Sequence, residues 1–262
     1  MRKPLVILLL LIPSVLFAQG TKNDLEKDFG ARIGVSLDKK IVRGLHVALD
    51  GEFRLTDNFT SVSRVQAGLD LSYKINKTFK VGVGYVFMED KNSSGEWKPR
   101  HRVYADASAT LRAGDWRFSF RERFQMTHRN VGNAFQTTPN LLELKSRFRV
   151  SYKGFARVTP YGYVEVRNVF NDPSCYATWS TVSKAYYSYS FKGYDDAYIN
   201  RVRGALGAKW KVASSHSLDF TILGDYCYDK NIDTNARGTK LKSLTYDQTF
   251  KMALCVGYQF SF

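Results

Sequence analysis

From Phe250 to Phe262 every second residue is apolar: Phe250, Met252, Leu254, Val256, Tyr258, Phe260 and Phe262. Those between them are Lys251, Ala253, Cys255, Gly257, Gln259 and Ser261, which are small or polar. A β-strand sends successive side chains to opposite faces, whereas a helix would spread the same residues around its circumference. The segment is therefore expected to be a strand with one strictly apolar face, and the chain stops on an aromatic residue.

The same alternation recurs along the chain. Phe29, Ala31, Ile33, Val35 and Leu37 form one apolar stripe. Leu45 to Leu55 form the next, with His46, Asp50, Glu52 and Arg54 on the other face. Val65 to Tyr73 stand against Arg64, Gln66 and Asp70, and Val81 to Phe87 follow. Val103 to Leu111 stand against Arg102, Tyr104, Asp106 and Ser108. Trp116, Phe118 and Phe120 stand against Arg117, Arg121 and Arg123. Leu142 to Val150 oppose Glu143, Lys145, Arg147 and Arg149, and Val164 and Val166 oppose Tyr163, Glu165 and Arg167. Val202 to Trp210 oppose Arg201, Arg203 and Lys209, and Leu218 to Tyr226 oppose Asp219, Thr221 and Asp225. With the closing stripe this makes eleven. Short turns alternate with longer connections at 89–99, 126–139, 168–197 and 229–245.

Residues 1–19 have the form of a secretory signal: Arg2 and Lys3, the apolar run Leu5 to Leu11, then Pro13, Ser14 and a small-residue exit near Ala18. Cleavage after Ala18 leaves Leu16 at the third position before the cut, and cleavage after Gly20 places Ala18 there. The apolar run is too short for a spanning helix, which needs about 20 residues. The chain is 44% hydrophobic and 15% aromatic, yet its mean hydropathy is −0.32, as expected where only alternate residues are apolar. Tyr73, Trp116, Trp210 and Tyr258 near stripe ends suit interfacial girdles and argue against a soluble β-sandwich. The closing strand and terminal Phe resemble the last strand of bacterial outer-membrane barrels. That resemblance implies that Tyr258, Phe260 and Phe262 are read by the barrel-assembly machinery.

The reading is an all-β chain: a signal peptide over 1–19, then over 20–262 a single transmembrane, antiparallel, up-and-down β-barrel. It is placed in the cell outer membrane with its carboxy-terminus in the periplasm and its longer loops outside. Single-chain bacterial barrels have even strand numbers. Twelve strands are therefore expected, with ten the next reading. The twelfth is sought among residues 20–28, which would return the amino-terminus to the periplasm.

The inward faces carry the candidate site, a lumen charge network of Glu52, Arg54, Arg64, Asp70, Arg102, Asp106, Arg117, Arg121, Arg123, Glu143, Arg147, Arg149, Glu165, Arg167, Arg201, Arg203, Asp219 and Asp225. Arg meets carboxylates through planar, bidentate contacts, and charge removed from water demands such partners. Two readings follow: an ion-pair lattice that fills the lumen, or a narrow, anion-favouring pore. The net charge of +15 fits either. It also favours lipopolysaccharide phosphates or an anionic solute as partners, besides the outer-membrane lipid itself. Nucleic acid is excluded for an exported chain. Cys175, Cys227 and Cys255 show no CxxC spacing; Cys175 and Cys227 could pair, or all three stay free.

A second class is a lipid-modifying barrel enzyme resembling outer-membrane phospholipase A or lipid A deacylases. It would need a histidine beside an outward serine at the rim. His46, His101, His128 and His216 offer no such pattern, so no catalytic residue is assigned and no metal or cofactor is expected. A third class is a surface-binding barrel that uses the Tyr-rich segment 171–197. Gly82 and Gly84 either ease curvature or leave room in the lumen.

The segments Gly51-Glu52-Phe53-Arg54, Phe120-Arg121-Glu122-Arg123, Pro160-Tyr161-Gly162-Tyr163-Val164-Glu165 and Asn200-Arg201-Val202-Arg203-Gly204-Ala205-Leu206-Gly207 stand in this order behind the leader. In this the chain resembles the DUF2490 family over nearly all its mature length. The resemblance implies an outer-membrane barrel of the kind found largely in Bacteroidota. That family has no established activity, so the resemblance transfers no functional residue.

Overall fold

A computed structural model describes residues 26–92 and 94–262. The expected leader, residues 1–19, and the segment 20–25 lie outside the described residues. Eleven strands follow one another: β1 (Glu26–Val42), β2 (Leu45–Thr56), β3 (Ser61–Lys74), β4 (Phe79–Lys91), β5 (Trp97–Ala113), β6 (Trp116–Arg129), β7 (Asn140–Tyr152), β8 (Val158–Ser180), β9 (Ala185–Lys211), β10 (His216–Thr234) and β11 (Leu241–Ser261). Their order around the sheet is their order in the chain, and the sheet closes into a barrel.

The expected twelfth strand is absent among the described residues, because β1 already lies against β11 and leaves no gap. With an odd number of alternating strands, the first and last run the same way. Their pairing is accordingly parallel, from Glu26 opposite Thr249 to Asp38 opposite Ser261, while every other neighbouring pair is antiparallel. The carboxy-terminal residue extends the seam: Phe262 N donates to Asp38 O at 3.0 Å, and Lys40 N donates to Phe262 O at 3.1 Å. The described chain therefore enters the barrel at the end opposite its last residue, and the expected return of the amino-terminus to the carboxy-terminal side turns on residues outside the described ones.

Connections at that carboxy-terminal end are tight, and two of them turn at glycines with left-handed backbone, Gly44 (φ 88°) and Gly114 (φ 59°). At the other end the expected long loops are mostly strand. Segment 168–197 forms the arms of one hairpin, with Ser180 opposite Ala185 at its tip. The register between β8 and β9 shifts five times above Arg167, at positions from Asn168 to Trp179. Each bulge adds a residue and reverses the faces, so the period of two vanishes from the sequence although the pairing continues. β10 and β11 extend in the same way to Thr234 and Leu241, so the loop expected at 229–245 shrinks to 235–240.

Burial alternates along much of the sheet. On β3, Val65, Leu69, Leu71 and Tyr73 are exposed while Arg64, Gln66, Gly68 and Asp70 are covered. The outward apolar residues continue around the barrel, from Ile33 and Val35 on β1 to Leu254 and Val256 on β11. Tyr73, Trp116, Trp210 and Tyr258 all point outward near the tight-turn end. The buried set is inside and mixed in polarity: Met88, Tyr104 and Leu223 beside Gln125, Glu143 and Asp225.

Candidate functional site

The inward residues sort into three levels. Nearest the tight turns, Tyr104 donates its hydroxyl to Asp70, and the Arg123 guanidinium lies over the Tyr104 ring at 3.7 Å. Tyr161 hydrogen-bonds Asp219, and Arg149 stacks on Tyr161 at 3.6 Å. These groups adjoin a cavity of about 380 Å³ whose wall includes Asp50, Asp70, Lys209 and Asp219. The two inward glycines of β4 make this packing possible. A Cβ on Gly84 would collide with the Tyr104 ring, and one on Gly82 would stand 3.0 Å from the Asp106 carboxylate. Of the two roles open for these glycines, room in the lumen has direct contacts behind it.

The middle level is a belt of ion pairs with two hubs. Glu165 meets Arg147 at 2.6 Å, Arg121 at 3.3 Å and Arg203 at 3.8 Å. Asp225 meets Arg203 at 2.5 Å, Arg32 at 3.2 Å and Arg201 at 3.6 Å. Arg203 thus joins the hubs, and the pairs run along the wall between adjacent or next-but-one strands. Asp106 holds Arg123 at 2.5 Å, Glu52 holds Arg54, and Glu143 takes Arg167 at 3.1 Å together with the Gln125 amide.

Above the belt the balance of charge changes. Arg54, Arg64, Arg100, Arg102, Arg129, Arg167 and Arg201 all line one cavity of about 250 Å³, with only Glu143 and Asp229 as acids in its wall. Asp90, just outside, takes Arg64 through an oxygen at 2.7 Å and Arg100 at 3.0 Å. A neighbouring cavity of about 470 Å³ shares five of these lining residues, among them Arg54 and Arg201. A second of about 470 Å³ shares Arg129 and Asn200. The lower cavity has no lining residue in common with any of the three.

Segment 130–139 folds over the mouth. Gln136 donates to Asp233 at 2.9 Å, Tyr194 donates to the Ala134 carbonyl at 2.7 Å, and Arg129 Nε holds the Thr138 carbonyl at 2.9 Å. Higher up, Lys230 of β10 pairs with Asp196 on the extended β8–β9 hairpin and lies 3.9 Å from Asp172. Burial pushes the Asp172 carboxyl above its ordinary range, against the pull of that ammonium.

The sequence-stripe residues all fall on the covered face, but they do not form one unit. Arg117 sits at the tight-turn end and enters no ion pair among the described residues. Arg149 meets a ring rather than a carboxylate. Four participants escaped the sequence reading. Arg32 was missed because no opposing face was assigned to the first stripe, Asp90 because it lies in the loop expected at 89–99, and Arg100 because it directly follows that loop. Gln125 is uncharged, yet it is buried on Glu143. Glu122, between two inward arginines, faces outward and accepts a hydrogen bond from Ser146 Oγ at 2.8 Å.

Outside, His101 Nδ1 lies 2.7 Å from the Tyr85 hydroxyl, and His128 Nδ1 lies 2.8 Å from Asn140 Oδ1. His46 meets Asp38 and His216 meets Tyr258. Among the described residues no serine hydrogen-bonds a histidine, and no cluster of three His, Cys, Asp or Glu has the spacing of a metal site. The three cysteines are free thiols. At the seam, the Phe260 and Phe262 rings stack at 5.3 Å.

A family profile described as "Protein of unknown function (DUF2490)" matches residues 30–236. No curated protein matches the chain.

Proposed function

Because the chain belongs to the DUF2490 family, whose description carries no activity, we propose a function from the barrel itself: it is an integral outer-membrane protein whose lumen is a narrow, anion-favouring passage. The membrane placement rests on the outward belt of apolar side chains, which in water would be a continuous exposed patch far larger than soluble monomers carry. In this reading the carboxy-terminus lies in the periplasm and the β8–β9 hairpin outside the cell. Tyr258, Phe260 and Phe262 then serve as the assembly signal.

The observation that carries the passage reading is the surplus of arginine above the belt, in a lumen that retains open cavities. Eight-stranded barrels are filled by their own side chains, and barrels of 16 to 18 strands leave an aqueous channel. Eleven strands fall between these, wide enough for a restricted path. The belt at Glu165 and Asp225 supports the wall and forms the constriction. Focused positive potential draws anions and repels cations. No reacting group is assigned; among the described residues the outward histidines meet Tyr85, Asn140 and Tyr258.

The test is a reversal-potential measurement on the refolded protein in planar bilayers under a potassium chloride gradient. Unit currents with a reversal potential toward that of chloride support the passage. Unselective or cation-selective currents refute it.

A further inference from the structure

We propose that the arginine chamber above the belt is a binding site for a small, multiply charged phosphoryl anion, such as inorganic pyrophosphate or a phosphomonoester. This rests on the anion-favouring reading of the lumen and refines it, from a passage with positive potential to one with a built site.

Among the described residues two of the seven arginines, Arg102 and Arg129, enter no ion pair, and a third, Arg201, is held only loosely. Arg102 donates through Nε to Thr127 Oγ1 at 3.0 Å, and Arg129 donates through Nε to the Thr138 carbonyl at 2.9 Å, so each keeps its terminal guanidinium nitrogens for another partner. Arg201 reaches Asp225 only at 3.6 Å, on a carboxylate already held by Arg203 and Arg32, and its buried Nε has no hydrogen-bond partner. Unpaired charge in a space with little water is costly. A chamber that gathers two unpaired guanidiniums and a loosely held third is arranged for a counter-anion.

The geometry selects the anion. Guanidinium forks match tetrahedral or planar oxyanions through paired N–H···O bonds, which a halide cannot exploit. Asn200 is buried, and its Oδ1 is fixed by Arg167 Nε at 2.7 Å, which leaves its amide N–H groups to donate into the same space. The groups left over are donors, apart from the Asp229 carboxylate, where the upper cavities meet, and Glu143 Oε1, which lies 3.1 Å from Arg167 Nε without a hydrogen bond. The three guanidiniums less the Asp229 carboxylate leave about two positive charges, so the ligand that neutralises them carries two.

Size narrows the class further. About 250 Å³ lies below the roughly 300–1,000 Å³ typical of pockets for drug-sized molecules. A phosphoryl or pyrophosphoryl group fits, and an attached small polar group can extend into the neighbouring cavity that shares Arg54, Arg64, Arg100, Arg201 and Asp229. Phospholipids and lipopolysaccharide are excluded, since their acyl chains have no place in a lumen lined with charge.

The test titrates inorganic pyrophosphate into the refolded full-length protein in detergent by calorimetry, at physiological chloride. Saturable binding is expected at one site per chain, weakened roughly tenfold or more by Arg102→Gln and by Arg201→Gln. Arg102→Lys, which keeps the charge and loses the fork, should weaken it by a smaller factor. Arg117→Gln, at the far end of the lumen, should leave it unchanged. Heat-modifiable gel mobility establishes that each variant is folded; if the glutamine variants do not fold, the lysine variant carries the test. Non-saturable binding, or equal loss in Arg117→Gln, overturns the site. Chloride-selective current without pyrophosphate binding overturns the site and leaves the passage standing. Saturable binding without current does the reverse.

Discussion

Replacing Glu165 by Gln removes the carboxylate on which three guanidiniums converge, and its consequence can be worked out partner by partner. The Glu165 side chain is 6% exposed, and those of Arg121, Arg147 and Arg203 are 25%, 22% and 12% exposed. Arg203 keeps Asp225, and Arg147 keeps the Tyr163 ring, over which it lies at 4.3 Å. Arg121 has no other ion pair among the described residues, and its Nε already lacks a hydrogen-bond partner. Removing one member of a buried pair costs about 3–5 kcal/mol. The retained contacts and the partial access to solvent place this case at the lower end, about 3 kcal/mol, or roughly a hundredfold in the folding equilibrium. Glu52 is the internal comparison. It holds Arg54, two residues away on the same strand, and is 27% exposed, so Glu52→Gln should cost only about 1 kcal/mol. Urea unfolding of the refolded protein in lipid vesicles, read by gel mobility without boiling, measures both. Equal shifts for the two variants, or none for Glu165→Gln, would refute the hub argument. A double-mutant cycle with Arg121→Met should show a coupling that neither single change accounts for.

Three other outcomes are expected. Phe262→Ser keeps the backbone bonds to Asp38 and Lys40 but removes the terminal ring; it should lower the amount of folded protein in cell membranes while refolding in detergent proceeds, as shown by fractionation beside in-vitro gel shifts. Gly84→Ala pushes Tyr104 away from Asp70 and Arg123 and should cost about 1–3 kcal/mol in the same urea assay, the usual range for overpacking. If eleven strands cross the membrane, an epitope inserted just before Glu26 should bind antibody on intact cells, whereas one in the 75–78 turn should not; the same response at both sites would refute the odd number.

The β-character of the chain was legible in the sequence because alternation is a local property. Each of the eleven stripes counted there corresponds to a strand, and which face of each strand is covered followed from the same period. The parity rule then overrode a correct count, since nothing between Glu26 and Asp38 reveals whether its partner runs parallel or antiparallel. Segment 168–197 resisted for a different reason: five register shifts scramble the alternation while pairing continues across the gap to β9. The charges were visible as inward, but their partners were not. Arg32 meets Asp225 from 193 residues away, and Gln136 meets Asp233 from 97.

The sequence by itself determined that this protein is a two-faced sheet with apolar residues on one side and arginine-rich charge on the other. Only the tertiary structure decided that the sheet closes on itself with β1 parallel to β11, that Glu165 and Asp225 gather the belt, and that Arg102, Arg129 and Arg201 are left over above it. A strand's own side chains dictate which way they point. Which charges end up neutralised depends on the register and circumference of the closed sheet, properties that belong to all eleven strands together.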